Sequence, residues 1–385
     1  MANLLRNPPL SLYVHMPWCV RKCPYCDFNS HAVTGELPAE AYIQALVADL
    51  EQDLPLVWGR SVSSIYFGGG TPSLFSADHI ATFLSAVRAR LDLNPAIEIT
   101  LEANPGTVEH DSFSAYAAAG INRVSLGVQS FDDNLLKRMG RIHGRLEVEQ
   151  SLQSLGAAGI SNFNIDLMYA LPGQGLEQSR HDVETAISAH PAHISFYQLT
   201  IEPNTAFAMR PPPLPQDDMA WDMQQSGLDV LEAAGFGQYE ISAFAQKDMH
   251  SRHNLNYWRY GDFLAVGAGA HGKITTPADG KVQRYAKHRH PKRYMQAMGN
   301  GDWQAERRFL DSEELVFEFF LNQLRLRQGV FIDDFSVRTG MHWQVVESRV
   351  QKAIERGLLE IHGKRVKTTA LGWRFVNDIQ QMFLP

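Results

Sequence analysis

Short apolar, β-rich runs alternate with helical stretches from residue 10 onward. SLYVHMP, SSIYFGG, IEITLEA, NRVSLGV, NFNIDLM and ISFYQLT read as strands, with helices near 39–54, 77–91, 109–119, 145–158 and 175–189 between them. Six strands separated by helices predict a parallel sheet with right-handed crossovers. In such a sheet the βα loops converge at the C-terminal strand ends, where a site is expected. Pro211 to Pro215 interrupt the repeat, and a helix over 217–234 follows. YEISAFA and the segment to about 300 read as irregular and β-rich, with a turn at Asp279-Gly280. From about 312 the chain turns helical and ends in a short hairpin and a last helix, an order compatible with a winged helix. The expected fold is α/β: a partial (β/α)6 TIM-like barrel over 1–235, a β-rich extension over 236–305 and a small winged-helix-like domain over 306–385.

Composition narrows the class. The chain has 385 residues, 44% of them apolar and 20% charged, which is ordinary for a globular protein with ample core. A formal net charge of −7 argues against wholesale binding to nucleic acid or anionic membrane. The N-terminal MANLLRNPPL has no secretory pattern, and no stretch approaches the ~18 apolar residues that span a bilayer. Cys19, Cys23 and Cys26, the three cysteines of the chain, fall within eight positions. Such a set is a poor disulfide framework and reads as metal ligation in a reducing cytosol, so a cytoplasmic location is expected.

The spacing Cys19-x3-Cys23-x2-Cys26 follows directly on the first strand, and Pro17 and Pro24 favour an irregular loop. Three thiolates can hold three irons of a 4Fe-4S cubane and leave the fourth open to a small chelating molecule. Zinc is the rival, with His15 as fourth ligand. The second strand ends in Phe67-Gly68-Gly69-Gly70-Thr71-Pro72, where glycines either let a ligand approach the backbone or make a tight turn. A side chain at Gly69 or Gly70 is expected to fill the space in which ligand and backbone meet. Glu102, Gln129 and Asp166 lie at or near the ends of the next three strands, in register for one rim. Gly267 to Gly272 spell G-x-G-x-x-G, but no amphipathic helix follows, so a dinucleotide fold is rejected.

The cysteine motif, with Tyr25 before its third cysteine, resembles the signature of radical S-adenosylmethionine (SAM) proteins. That resemblance implies a 4Fe-4S cluster on Cys19, Cys23 and Cys26. SAM would sit on the open iron through its amino and carboxylate groups, where one electron cleaves the sulfonium to a 5′-deoxyadenosyl radical. GGGTP, LEANP, LGVQSF, Arg141 and NIDLMYALPGQ resemble one branch, that of oxygen-independent coproporphyrinogen III oxidase and its heme-chaperone relatives, over nearly the whole chain. By this resemblance Tyr13, Gly69, Gly70, Thr71 and Glu102 contact SAM and its surroundings, while Gln129, Arg141 and Asp166 line a second SAM or substrate pocket. The Gly267–Gly272 segment is implied to lie near the SAM site.

Two features separate the relatives. The oxidase pattern adds a cysteine two residues after the third, where Phe28 stands here. His253-Asn254-x2-Tyr257-Trp258 resembles the HNxxYW motif of the heme chaperones, which supplies an imidazole for heme iron, an amide, and two aromatics for a porphyrin face. His250 and His271 are rival iron ligands. Heme binding and delivery to respiratory hemoproteins is the implied function, with no catalytic residue assigned; oxidative decarboxylation of coproporphyrinogen is the alternative. The basic stretch from Arg284 to Arg293 suits heme propionates, nucleic acid or anionic lipid alike. Peripheral membrane contact and a cluster-dependent dimer are compatible with the sequence, whereas nothing resembles an RNA-binding module.

Overall fold

In the computed structural model, which describes residues 4–106 and 112–385, a period of two along each β-rich run decides the architecture. The strands are β1 (Leu10–Met16), the two-residue β2 (Trp18–Cys19) and β3 (His31–Ala32), then β4 (Ser61–Gly69), β5 (Asp92–Ala103), β6 (Arg123–Gln129), β7 (Phe163–Tyr169) and β8 (His193–Gln198). β1 and β4 to β8 lie side by side, all parallel. Between them run the helices Ala39–Asp53, Ala77–Arg88, Phe113–Ala119, Arg145–Ala157 and Leu176–Ser188, as expected. Residues 109–111 of the third expected helix lie outside the described residues; its described start is capped by Ser112, whose hydroxyl accepts the Ala115 amide.

Alternate residues of the strands, such as Leu12, Ile65, Leu101, Val124 and Ile165, join Tyr42, Leu46, Phe83 and Val183 of the helices in one core. The intervening positions are polar yet also buried, among them Ser64, Thr100, Ser125, Asn164 and His193. Buried polar groups need partners, and these find one another. Asn164 donates to Ser125 Oγ and Asp166 Oδ1, both at 2.8 Å. Its Oδ1 meets His193 Nδ1 at 2.6 Å, and His193 Nε2 lies 2.7 Å from the Tyr239 hydroxyl. The concave face of the sheet is therefore a polar column that opens at the strand ends.

The second half of the chain supplies both edges of this sheet. β9 (Gly237–Glu240) and β10 (Ala243–Ala245) add antiparallel to β8, whereas β11 (Asp262–Val266) docks parallel on the far side of β1. β12 (His271–Thr276), β13 (Lys281–Lys287) and β14 (Gln304–Phe309) continue antiparallel from there. The result is one sheet of twelve strands, β14-β13-β12-β11-β1-β4-β5-β6-β7-β8-β10-β9, that does not close on itself. The β12–β13 hairpin turns at Asp279-Gly280, with Gly280 at φ +64°. The glycine-rich Gly267–Gly272 segment leads into β12 and not into a helix, which bears out the rejection of a dinucleotide fold.

One expectation fails here. The stretch read as irregular and β-rich contains two helices, Arg252–Trp258 and Pro291–Gln296. The first is too short and too polar to show a helical period; it is fixed by Glu98 of β5, whose carboxylate accepts the backbone amides of Arg252 and His253, each at 3.0 Å.

Lys287, fully buried, reaches Asp49 and Asp53 of the helix Ala39–Asp53, with Nζ 2.6 Å from Asp53. Tyr294 donates to Asp49 at 2.6 Å, and both also receive the Gly267 amide. This cluster clamps β13 and the glycine-rich turn onto the first helix.

The tail folds around its own core. Helices Ser312–Gln323, Ile332–Thr339 and Gln344–Glu355 surround Phe319, Phe320, Phe335 and Phe383, and β15 (Val330–Phe331), β16 (Leu359–His362) and β17 (Arg365–Thr368) form a small antiparallel sheet. This is a winged-helix-like order. Glu318 fastens it to the main sheet by accepting from Arg284 at 2.7 Å and from the Tyr260 hydroxyl at 3.1 Å. No helix among the described residues is long and apolar enough to cross a membrane.

Lys287→Met strands two carboxylates without a cation and is expected to cost about 3–5 kcal/mol in denaturant unfolding; a loss under about 1 kcal/mol would contradict the clamp. Burial raises the Glu102 carboxyl from 4.5 to about 7, against the pull of the Tyr66 hydroxyl that donates to it. The native chain then keeps a proton that the unfolded chain releases, so this contribution is full below pH ~4.5 and is lost as pH rises through ~7. Glu102→Gln should gain on the wild type by roughly 3 kcal/mol between those limits, measured as unfolding free energy against pH; parallel profiles would contradict it.

Candidate functional site

The cysteine loop is tied at both ends before it does any chemistry. β2 and β3 pair in parallel, Trp18 with His31 and Cys19 with Ala32. The Val33 amide donates to the Cys19 carbonyl at 2.9 Å, and Cys26 N closes a turn on Cys23 O at 3.2 Å. All three cysteines are free and half-buried, and their side chains line one cavity of about 190 Å³. Burial pushes the Cys19 and Cys26 thiols up, partly offset by hydrogen bonds from Thr71 and Ser30 respectively. Cys23 Sγ instead accepts from Arg141 Nη1 at 3.4 Å.

The donor set suits a cluster better than one ion. His15, the expected fourth zinc ligand, has Nδ1 2.9 Å from the Tyr13 hydroxyl and Nε2 2.9 Å from the Asn29 carbonyl. No three His, Cys, Asp or Glu side chains among the described residues converge as a single ion requires. Thiolates on separate irons of a cubane stand further apart, around a shared space such as this cavity.

β4 delivers the glycines against that loop. Gly70 N donates to Met16 O and Thr71 N to Trp18 O, each at 2.7 Å. A Cβ on Gly70 would strike the Trp18 and Met16 carbonyls, and one on Gly69, at φ +113°, would strike the His15 ring. A side chain at either position would meet the chain's own atoms as well as the cavity that both glycines line. The glycines are required first by the chain's own close approach.

Glu102 at the end of β5 accepts from the Tyr66 hydroxyl at 2.7 Å and the Gly69 amide at 3.0 Å. Arg141 donates to Asn104 Oδ1 at 2.5 Å and the Gly127 carbonyl at 2.8 Å, and Asn104 in turn donates to Thr71 at 2.9 Å. Gln129, at φ +71°, accepts from Tyr197 at 3.0 Å. Asp166 accepts from Ser125 at 3.1 Å, and burial raises its carboxyl. Gly69, Gly70, Thr71, Glu102, Gln129, Arg141 and Asp166 therefore share the cysteines' cavity. Asn104 and Tyr197 line it too; Asn104 was visible within LEANP, whereas nothing in the sequence singled out Tyr197.

The HNxxYW residues face a second cavity, of about 670 Å³. His253 stacks on Tyr66, with ring centroids 4.9 Å apart. Its Nδ1 lies 3.1 Å from Ser64 Oγ, and the Ser64 hydroxyl donates onward to Ser11. Ser64 therefore accepts the Nδ1 proton, which leaves the Nε2 lone pair free. Burial lowers its pKa to about 3, so the ring is neutral. Asn254, Tyr257, Trp258 and Phe263 line the same space; Tyr257 packs edge-on to Trp258 at 5.0 Å and against Phe263 at 5.1 Å. Tyr13 also faces this cavity and not the cysteines. His271 lines it too, but His250 packs against Tyr239 at 4.4 Å outside it. Phe28, Gly69 and Glu102 line both cavities, so the two adjoin across that wall.

The radical SAM superfamily model matches residues 13–186, and the HemN C-terminal domain model matches residues 310–375. The chain is 47% identical over 381 residues to the heme chaperone HemW of Escherichia coli, covering 99% of this chain and 100% of that one. It is 46% identical to the heme chaperone HemW of Haemophilus influenzae over 98% of each. The solved structure of Escherichia coli coproporphyrinogen III oxidase (HemN) superposes with a TM-score of 0.83 at 23% identity, over 98% of this chain and 90% of that one, which establishes a shared fold. Full-length identity of this order, on a sheet that brings the cysteine loop and the HNxxYW helix to adjoining cavities, means that the chain belongs to the HemW family of radical SAM proteins.

Proposed function

We propose that this chain is a cytoplasmic heme chaperone, which binds heme in the larger cavity and passes it to acceptor hemoproteins such as those of the respiratory chain. The observation that carries the reading is His253, held by Ser64 so that a neutral Nε2 is left free beside Tyr257, Trp258 and Phe263. A coordinating atom and an apolar platform are what a metalloporphyrin needs. Asn254 orients the ligand at the same wall. Cys19, Cys23 and Cys26 hold a 4Fe-4S cluster, and Gly69, Gly70, Thr71 and Glu102 receive SAM beside it, with Tyr13 behind the shared wall and Gln129, Arg141 and Asp166 on the far side. Bound together, cluster and SAM would supply one-electron radical chemistry. The chain's own contribution is a pre-formed pocket in which Arg141, donating to Cys23 Sγ, would offset thiolate charge.

The organisation that goes with this role is a cluster and SAM unit over 1–235, a heme-bearing extension over 236–305 and a terminal domain over 306–385. Coproporphyrinogen decarboxylation is not expected, since Phe28 stands where the oxidase pattern has a cysteine.

The test is one anaerobically reconstituted sample titrated with heme and then assayed with coproporphyrinogen. Wild type should show a Soret band and cluster absorbance, with negligible carbon dioxide release. His253→Ala should shift the Soret band and weaken heme retention about tenfold or more while the cluster absorbance persists, and Cys19→Ser should do the reverse. Absence of heme binding, or robust decarboxylation, would contradict the reading; a Soret band unchanged in His253→Ala but lost in His271→Ala would move the ligand.

A further inference from the structure

Heme is an amphiphile: an apolar macrocycle with two propionates on one edge. A cavity that holds it by iron and ring alone leaves two carboxylates to be solvated or paired. The larger cavity is asymmetric in a way that bears on this. His253, Tyr257 and Phe263 belong to its apolar part, while Arg284, Arg289 and His271 also line it. The acids in that lining are Asp27 and Glu102, and Glu102 is already engaged by Tyr66 and Gly69.

The three basic groups sit on one hairpin and its continuation. In the β12–β13 pairing His271 lies opposite Ala286, and Arg284 is two residues back on the same face. Arg284 is fixed from behind by Glu318, through Nε at 3.0 Å and Nη2 at 2.7 Å, and its guanidinium lies over the Phe263 ring at 5.4 Å. Nη1 is not used by that pair. Arg289 is exposed and forms no side-chain hydrogen bond or ion pair among the described residues. Its backbone is nonetheless anchored, because the Asn29 amide donates to its carbonyl at 2.9 Å. Burial, then the charges of Arg284 and Arg289, lower the pKa of His271, so these groups share one electrostatic neighbourhood. Lys287 and Lys273 are held inside the fold by Asp49, Asp53 and Asp262, whereas the guanidinium groups of Arg284, held on one edge by Glu318, and of Arg289 line the cavity beside a neutral His271.

We propose that Arg289 and Arg284, beside His271, form a carboxylate-binding rim that takes the porphyrin propionates and so fixes which edge of the ring points to the β12–β13 hairpin. The inference rests on the heme reading above and adds the class of group recognised. Arg284 is the positioned member and Arg289 the adaptable one. The link from Arg284 through Glu318 to the helix Ser312–Gln323 also makes the terminal domain a support of this rim.

Heme and its dimethyl ester, which keep the same iron and ring but differ in carboxylate charge, test the proposal in parallel titrations of the cluster-loaded full chain. Wild type should prefer heme by about tenfold. Arg289→Gln, a surface change with little risk to folding, should lower heme affinity severalfold, leave ester affinity alone and pull the ratio towards one; adding His271→Gln should reduce it further. Equal affinity of wild type for both ligands would overturn the rim, as would a ratio unchanged in Arg289→Gln and in the double variant. Failure of wild type to bind either ligand would overturn the heme reading itself, and the rim with it.

Discussion

A single half-buried carboxyl group stands between the two cavities. Glu102 accepts the Tyr66 hydroxyl from one side and the Gly69 amide from the other, and both contacts require β4 and β5 to end in register. Gly69 reaches it because it adopts φ +113° against the His15 ring, where any Cβ would collide. The next two amides, of Gly70 and Thr71, then grip the carbonyls of Met16 and Trp18 and so set the start of the cysteine loop. Tyr66 in turn backs His253. A shift of the Glu102 wall would therefore move the cysteines, the glycine turn and the imidazole together.

The wall sits at the mouth of a polar column that a sheet buried on both faces would not ordinarily contain. Ser125, Asn164 and His193 are buried and hydrogen-bond with one another and with Asp166; burial raises the Asp166 carboxyl, against the hydrogen bonds it accepts, and lowers His193. Such a network adds little net stability compared with an apolar filling. What it gives is a rigid, hydrogen-bonded floor under a site, with the stabilising load carried by the apolar alternates beneath the helices.

Much of this was legible in the residues. Strand periodicity and the strand-end residues foretold which side chains meet at the rim, because in a parallel sheet that follows from a period of two and from register alone. The cysteine spacing foretold a shared cavity for three thiols. Three things were not legible. The helix carrying His253 has seven residues, shows no apolar period and depends on capping by Glu98, more than 150 positions away in the chain. The attachment of β11 beside β1, which brings that helix to the site, is a long-range pairing with no local signal. The steric role of Gly70 depends on carbonyls of a neighbouring strand and loop that a one-dimensional motif does not reveal.

The central claim is that heme iron and the iron–sulfur cluster occupy adjoining cavities of one chain, separated by the Gly69–Glu102 wall. Electron paramagnetic resonance of the reduced cluster, recorded with and without heme whose iron is replaced by manganese(II), which stays paramagnetic under the reducing conditions the cluster needs, tests it most directly. The account predicts that bound heme shortens the cluster's spin relaxation in wild type and that the effect is lost in His253→Ala. Relaxation unaffected by stoichiometrically bound heme would place the porphyrin elsewhere on the protein and contradict the account.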